Sequence, residues 1–134
     1  MDQTFEAHHV SVAIARAPDE VYNFALNIER WPEWAHGIGV SVRPAGDSWI
    51  AKGPLGEVTV RFAERNPYRV LDHDVTLPDA RVFHNAFRVI PNGSGSEVIF
   101  SVFRQAGASD QAFRDDWQAV EQDLRRLKAL LEQR

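Results

Sequence analysis

The last quarter of the chain carries the constraint that governs the rest. Phe113, Trp117, Val120, Leu124, Leu127 and Leu131 recur at alternating steps of four and three, which gathers them on one stripe of an α-helix. Ser109 or Asp110 can cap that helix, which can run to about Glu132. About 22 residues rising 1.5 Å each make it roughly 33 Å long, enough to cross a small domain. An apolar stripe of that length needs a cover of matching size. It spans fewer than three heptads, so packing on the protein's own chain is favoured over a coiled coil. Asp110 with Arg114 and Glu121 with Arg125 stand at helical spacing and read as solvent-facing pairs.

The cover is legible upstream as strands. His8, Val10, Val12 and Ile14 alternate with His9, Ser11 and Ala13, the pattern of a half-buried strand over His8–Ala15. Ala17-Pro18-Asp19-Glu20 reads as a helix start, with proline and acidic residues in the first turn. That helix presents Val21, Tyr22, Phe24 and Ala25 and fades near Asn27. Glu29–Ala35 reads as a second short helix with Pro32 near its start. Then come Val40-Ser41-Val42, a turn at Pro44–Asp47, Trp49-Ile50-Ala51, and a turn at Gly53–Gly56. Alternation resumes at Val58, Val60 and Phe62, at Leu71, His73, Val75 and Leu77, and at Phe83, Asn85, Phe87 and Val89. Pro91–Ser96 is a strong turn signal before a last strand, Val98–Phe103. Consecutive strands joined by short turns imply antiparallel hairpins. The expectation is one α+β domain over residues 1–134, with a curved seven-stranded sheet covered by the terminal helix.

Charge and composition exclude several functions. The net charge is −4 with no basic stripe, which argues against nucleic-acid binding. No apolar run approaches the roughly 20 residues of a membrane span, and Met1–Glu6 lacks a signal-peptide pattern. There are no cysteines, so disulfides and thiolate chemistry are out and a cytoplasmic location is the expectation. Four Trp and eight Phe supply apolar area for a core, a pocket, or both.

Particular residues carry a family likeness. Val10-x-Val12-x-Ile14-x-x-Ala17-Pro18-x-x-Val21-Tyr22-x-Phe24, followed by Trp31-Pro32-x-Trp34, looks like the opening strand and paired helices of the START-like superfamily. This superfamily is also called the SRPBCC or polyketide cyclase/dehydrase group. Leu124-x-x-Leu127-Lys128-x-Leu130-Leu131-Glu132 looks like its terminal helix, and Val70–Val75 resembles a strand of many bacterial members. The resemblance spans nearly the whole chain and implies a helix-grip fold with a cavity between helix and sheet. The family includes lipid carriers, hormone receptors, aromatic cyclases and co-chaperone domains, so fold alone does not select a function.

The chemical candidates are few. His73 shares parity with Leu71, Val75 and Leu77, so it faces the apolar side. There it either orients a ligand, acts as acid or base, or is a core histidine bonded to backbone. Asn85 stands between Phe83 and Phe87, as a cavity polar group or at a bulge. Trp31 and Trp34 lie where the family has its cavity mouth, and His36 reads as a loop histidine. Phe83, Phe87, Phe113 and Trp117 complete the candidate ligand-binding set. Asp72-His73-Asp74 resembles a metal cluster, yet neighbours on a strand point to opposite faces. No metal or other cofactor is expected, and no nucleophile elbow or phosphate loop is present. Three functions follow: a binder or carrier of a small hydrophobic or aromatic molecule, a cyclase- or dehydratase-like enzyme using His73, or a ligand-free interaction module. A homodimer is compatible with each.

Overall fold

The computed structural model describes residues 3–37 and 41–134. Strand β1 (Ala7–Ile14) leads into helix α1 (Pro18–Leu26) and a 3-10 helix (Ile28–Glu33). Six strands follow, β2 (Ser41–Ala45), β3 (Ser48–Gly53), β4 (Gly56–Phe62), β5 (His73–Thr76), β6 (Val82–Asn92) and β7 (Gly95–Phe103). Helix α2 (Asp110–Glu132) ends the chain. Every strand pairing is antiparallel, in the order β1-β7-β6-β5-β4-β3-β2. Strands β2 to β7 therefore form a meander. The chain reaches β2 from β1 by crossing the whole sheet through α1 and the 3-10 helix, which leaves β1 and β2 at opposite edges. This is the helix-grip architecture.

Local chemistry explains most boundaries. Pro18 opens α1, with Asp19 and Glu20 in its first turn, where missing donors and negative charge cost least. The second short helix is a tight 3-10 turn, with Pro32 near its end instead of its start. Hairpin ladders run further into the turn signals than the sequence suggests. Pro44 and Ala45 belong to β2 and pair with Trp49 and Ser48. Pro91, Asn92, Gly95 and Ser96 belong to the β6–β7 ladder, so only Gly93 and Ser94 turn. Gly93 has φ +59, a conformation that side chains resist. Leu71 and Leu77 flank β5 instead of belonging to it. Val40 lies outside the described residues.

Helix α2 is capped by Ser109, whose hydroxyl accepts from the Ala112 N–H at 3.0 Å. Asp110 pairs with Arg104 at 2.6 Å and not with Arg114. Arg104 is already held over the helix start by the Ala108 carbonyl, so the carboxylate meets a fixed guanidinium. Glu121 and Arg125 do pair, at 3.3 Å. At the far end Lys128 donates to the Ala13 carbonyl at 2.6 Å, and Glu132 accepts from the Ala15 N–H at 2.9 Å. These bonds pin the helix to the end of β1. Leu124, Leu127 and Leu131 are fully buried in a core shared with Val10, Ile14, Val21, Ala25 and Val98.

Candidate functional site

The site grows from Asp72-His73-Asp74. Leu71 donates its N–H to the Phe87 carbonyl at 2.7 Å, as an antiparallel pair should. The reciprocal bond is absent. The Phe87 N–H goes instead to the Asp72 carboxylate at 2.9 Å, and the Leu71 carbonyl bonds the His73 ring at Nδ1, 3.0 Å away. Two side chains thus replace one rung of the ladder. Asp72 also meets Arg88 at 2.8 Å. Burial works against its ionisation, but Arg88 and the Phe87 N–H outweigh it and hold the carboxyl below its ordinary range. Asp74 bonds His84 at 2.5 Å on the outer face. The three residues do alternate faces, and only His73 turns inward.

His73 is 2% exposed. Rings of Trp31, Phe62, Phe100 and Phe87 stand around it with centroids 5.2–6.2 Å away, Phe62 tilted and the other three edge-on. Its cross-strand partner is Asn85, and the Asn85 amide nitrogen lies 3.3 Å from His73 Nε2. Burial among these rings pushes the imidazole pKa down from 6.5 to about 4, although the Leu71 carbonyl and nearby Asp72 and Asp74 favour the charged form. At neutral pH the ring is uncharged, with both nitrogens engaged by protein. That suits a fixed polar group better than a proton shuttle.

A cavity of about 500 Å³ opens between the inner face of the sheet and α2. Of the eight expected ligand-contacting residues, Trp31, Trp34, His73, Phe83, Asn85 and Phe87 line it. Phe113 and Trp117 do not. The Trp117 ring is drawn aside onto His8, stacked at 3.9 Å and 12°, and Phe113 is buried near the start of the helix. Gly37 lines the cavity beside His36, whose N–H is tied to Asp123.

The helix side of the cavity is more polar than the stripe alone suggests. Asp116, Ala119, Val120, Asp123 and Leu124 form it. Asp123 accepts from the His36 N–H at 3.2 Å and from Arg126 at 2.5 Å. Burial nevertheless raises its pKa, more than these partners lower it. Burial and the adjacent Asp115 raise the pKa of Asp116 too. Leu55 and Phe103, about half exposed, sit in the open part of the wall. Sequence periodicity misses Asp116 and Asp123 because they flank the apolar stripe, while Leu55 belongs to a turn. Among described residues, Trp34 Nε1 is the one fully buried side-chain polar atom without a partner, a cost of about 1–3 kcal/mol. Also among them, no three His, Asp or Glu side chains gather as a metal site requires.

Comparisons with known proteins agree on the architecture. The family model described as polyketide cyclase / dehydrase and lipid transport matches residues 7–132. No curated protein matches the sequence. Among solved structures, protein MLL2253 from Mesorhizobium loti superposes with a TM-score of 0.72 at 14% identity, over 96% of this chain and 98% of that one. The Aha1 dimer from Colwellia psychrerythraea gives 0.71 at 14% identity, covering 95% and 96%. The di-domain ARO/CYC StfQ from the steffimycin biosynthetic pathway gives 0.71 at 14%, covering 93% of this chain and 45% of that one. At such identities the likeness is one of fold.

Proposed function

We propose that this chain, which belongs to the polyketide cyclase / dehydrase and lipid transport family, binds a small hydrophobic or aromatic molecule between its sheet and α2. One observation carries the reading. A cavity of about 500 Å³ is walled by Trp31, Trp34, Phe83, Phe87 and Phe100, with the buried His73 and its half-buried partner Asn85 set among those rings. Large apolar walls with few polar groups are what a drug-sized ligand needs: area for affinity and one or two bonds for orientation. The volume speaks against a ligand-free interaction module, which would have closed its core.

A cyclase- or dehydratase-like reaction with His73 as general acid or base has less support. A useful acid or base titrates near the working pH and can reach its proton. His73 titrates near 4 and spends both nitrogens on Leu71 and Asn85.

The test uses N-phenyl-1-naphthylamine, an uncharged probe, with native mass spectrometry of the purified protein beside it. The probe is expected to brighten, to perturb tryptophan emission through Trp31 and Trp34, and to raise the melting temperature. A hundredfold excess over Kd stabilises the native state by about 2.7 kcal/mol. No probe response together with no co-purified small molecule would sink the reading.

A further inference from the structure

The bonds around His73 run in one direction only, and that direction reaches the cavity. A carbonyl oxygen can only accept, so the Leu71 oxygen, 3.0 Å from Nδ1, requires the ring proton there. Nε2 then holds a lone pair. The Asn85 side chain, 3.3 Å away, must therefore turn its NH₂ toward the ring. Its carbonyl oxygen is left with no protein partner among the described residues, on a half-buried side chain that lines the cavity. A backbone carbonyl thus decides, through a histidine, which way an asparagine faces a ligand.

No other polar group of the wall duplicates this acceptor: the Trp34 indole offers only an N–H donor, and Gln105 is exposed with its amide N–H on the Phe103 carbonyl. Arg81 is committed to Asp79 at 2.7 Å, His84 to Asp74 at 2.5 Å, and Asp123 to Arg126 and the His36 N–H. Asp116 is exposed at the open side, where water satisfies it. The Asn85 oxygen and the second N–H of the same amide, with the Trp34 indole N–H, are what a bound molecule meets beside the rings. A hydroxyl can donate to that oxygen and accept from that N–H. A methyl ether of the same skeleton can only accept, and leaves the oxygen buried without a partner.

We propose that Asn85 selects the ligand and that His73 is its positioning residue, so the cavity favours a ring system bearing a hydroxyl over the same skeleton with that hydroxyl capped. This rests on the ligand-binding reading above and narrows it to a substrate class, hydroxylated or phenolic ring compounds.

The experiment measures calorimetric affinities of 2-naphthol and 2-methoxynaphthalene for wild type, Asn85→Leu and His73→Phe, with melting temperatures recorded beside each. The preference for 2-naphthol is expected to be about three- to tenfold greater in wild type than in Asn85→Leu, the worth of one hydrogen bond. In His73→Phe the amide is free to turn, so the preference should fall while 2-methoxynaphthalene binds as before. A merely structural histidine would weaken both probes together. Imidazole ¹⁵N spectra of wild type should show the proton on His73 Nδ1 at neutral pH. An equal preference in wild type and both variants would overturn the proposal and leave the ligand reading standing. Failure of wild type to bind either probe would take down the ligand reading itself. Should Asn85→Leu not fold, the His73→Phe ratio and the tautomer decide.

Discussion

The two halves of α2 carry the same apolar stripe and end in different surroundings. From Leu127 to Leu131 the stripe is sealed against β1, α1 and the β6–β7 end of the sheet, and bonds from Lys128 and Glu132 to β1 hold it there. From Trp117 to Val120 it is only half-buried. Trp117 is held at the β1 edge by His8, and the residues beneath, Asp116, Ala119 and Val120, face open volume. The sheet repeats the contrast. Val98 and Val89 pack without a gap, whereas Phe83 and Asn85, further along β6 from that end, border the cavity. One end of the molecule supplies stability and the other supplies space, and a single rigid helix joins them.

Deleting the helix tests the pair together and should have the largest effect. A chain ending at Gly107 exposes the inner face of the sheet, and the net stability of about 5–15 kcal/mol typical of such domains should not survive. A cooperative urea transition in that truncation would contradict the division described above. Within the sealed half, Leu127→Ala should cost about 2–5 kcal/mol with little change in probe affinity, as read by urea unfolding and fluorescence titration.

Acid should next weaken the cavity half through His73. Its pKa is about 4 in the folded protein against 6.5 ordinarily, so between those values the unfolded chain takes up a proton that the folded ring refuses. Stability is therefore complete above about pH 6.5 and falls as the pH drops toward 4. The loss is about 3 kcal/mol, at 1.36 kcal/mol per unit. Asp123, whose pKa is raised by burial, titrates in the opposing sense, so the informative quantity is the difference from His73→Phe. That variant should lack this part of the fall between pH 7 and pH 4.

The smallest effect is the sharpest comparison of the two halves. Ala25→Leu adds bulk where the side chain is wholly buried and should cost about 1–3 kcal/mol. Ala119→Leu adds the same bulk beside the cavity and should change stability by less than about 0.5 kcal/mol, while lowering affinity for N-phenyl-1-naphthylamine. Equal costs at the two positions would mean that the space beside Ala119 is not available to a side chain.

Much of this is legible in the sequence. The three-four spacing made α2 one stripe, strand alternation put His73 and Asn85 on the inner face, and the order of elements required a meander under a terminal helix. Those are consequences of side-chain direction and burial, which act locally and repeat with a fixed period. The exchanged rung at Leu71, Asp72 and Phe87 was not legible. Asp72 reads from sequence as an outward-facing carboxylate, and only its position beside the Phe87 N–H gives it a backbone donor. The diversion of Trp117 onto His8 was hidden for the same reason, since periodicity assigns a face of the helix but not the neighbour that face meets.

The sequence by itself determined which residues turn inward and that one sheet must cover one helix. Only the tertiary structure decided that His73 stands opposite Asn85, with a cavity of about 500 Å³ next to them. Periodicity sets the direction of each side chain relative to its own backbone. Register and helix placement set the distances between elements, and a cavity is made of those distances.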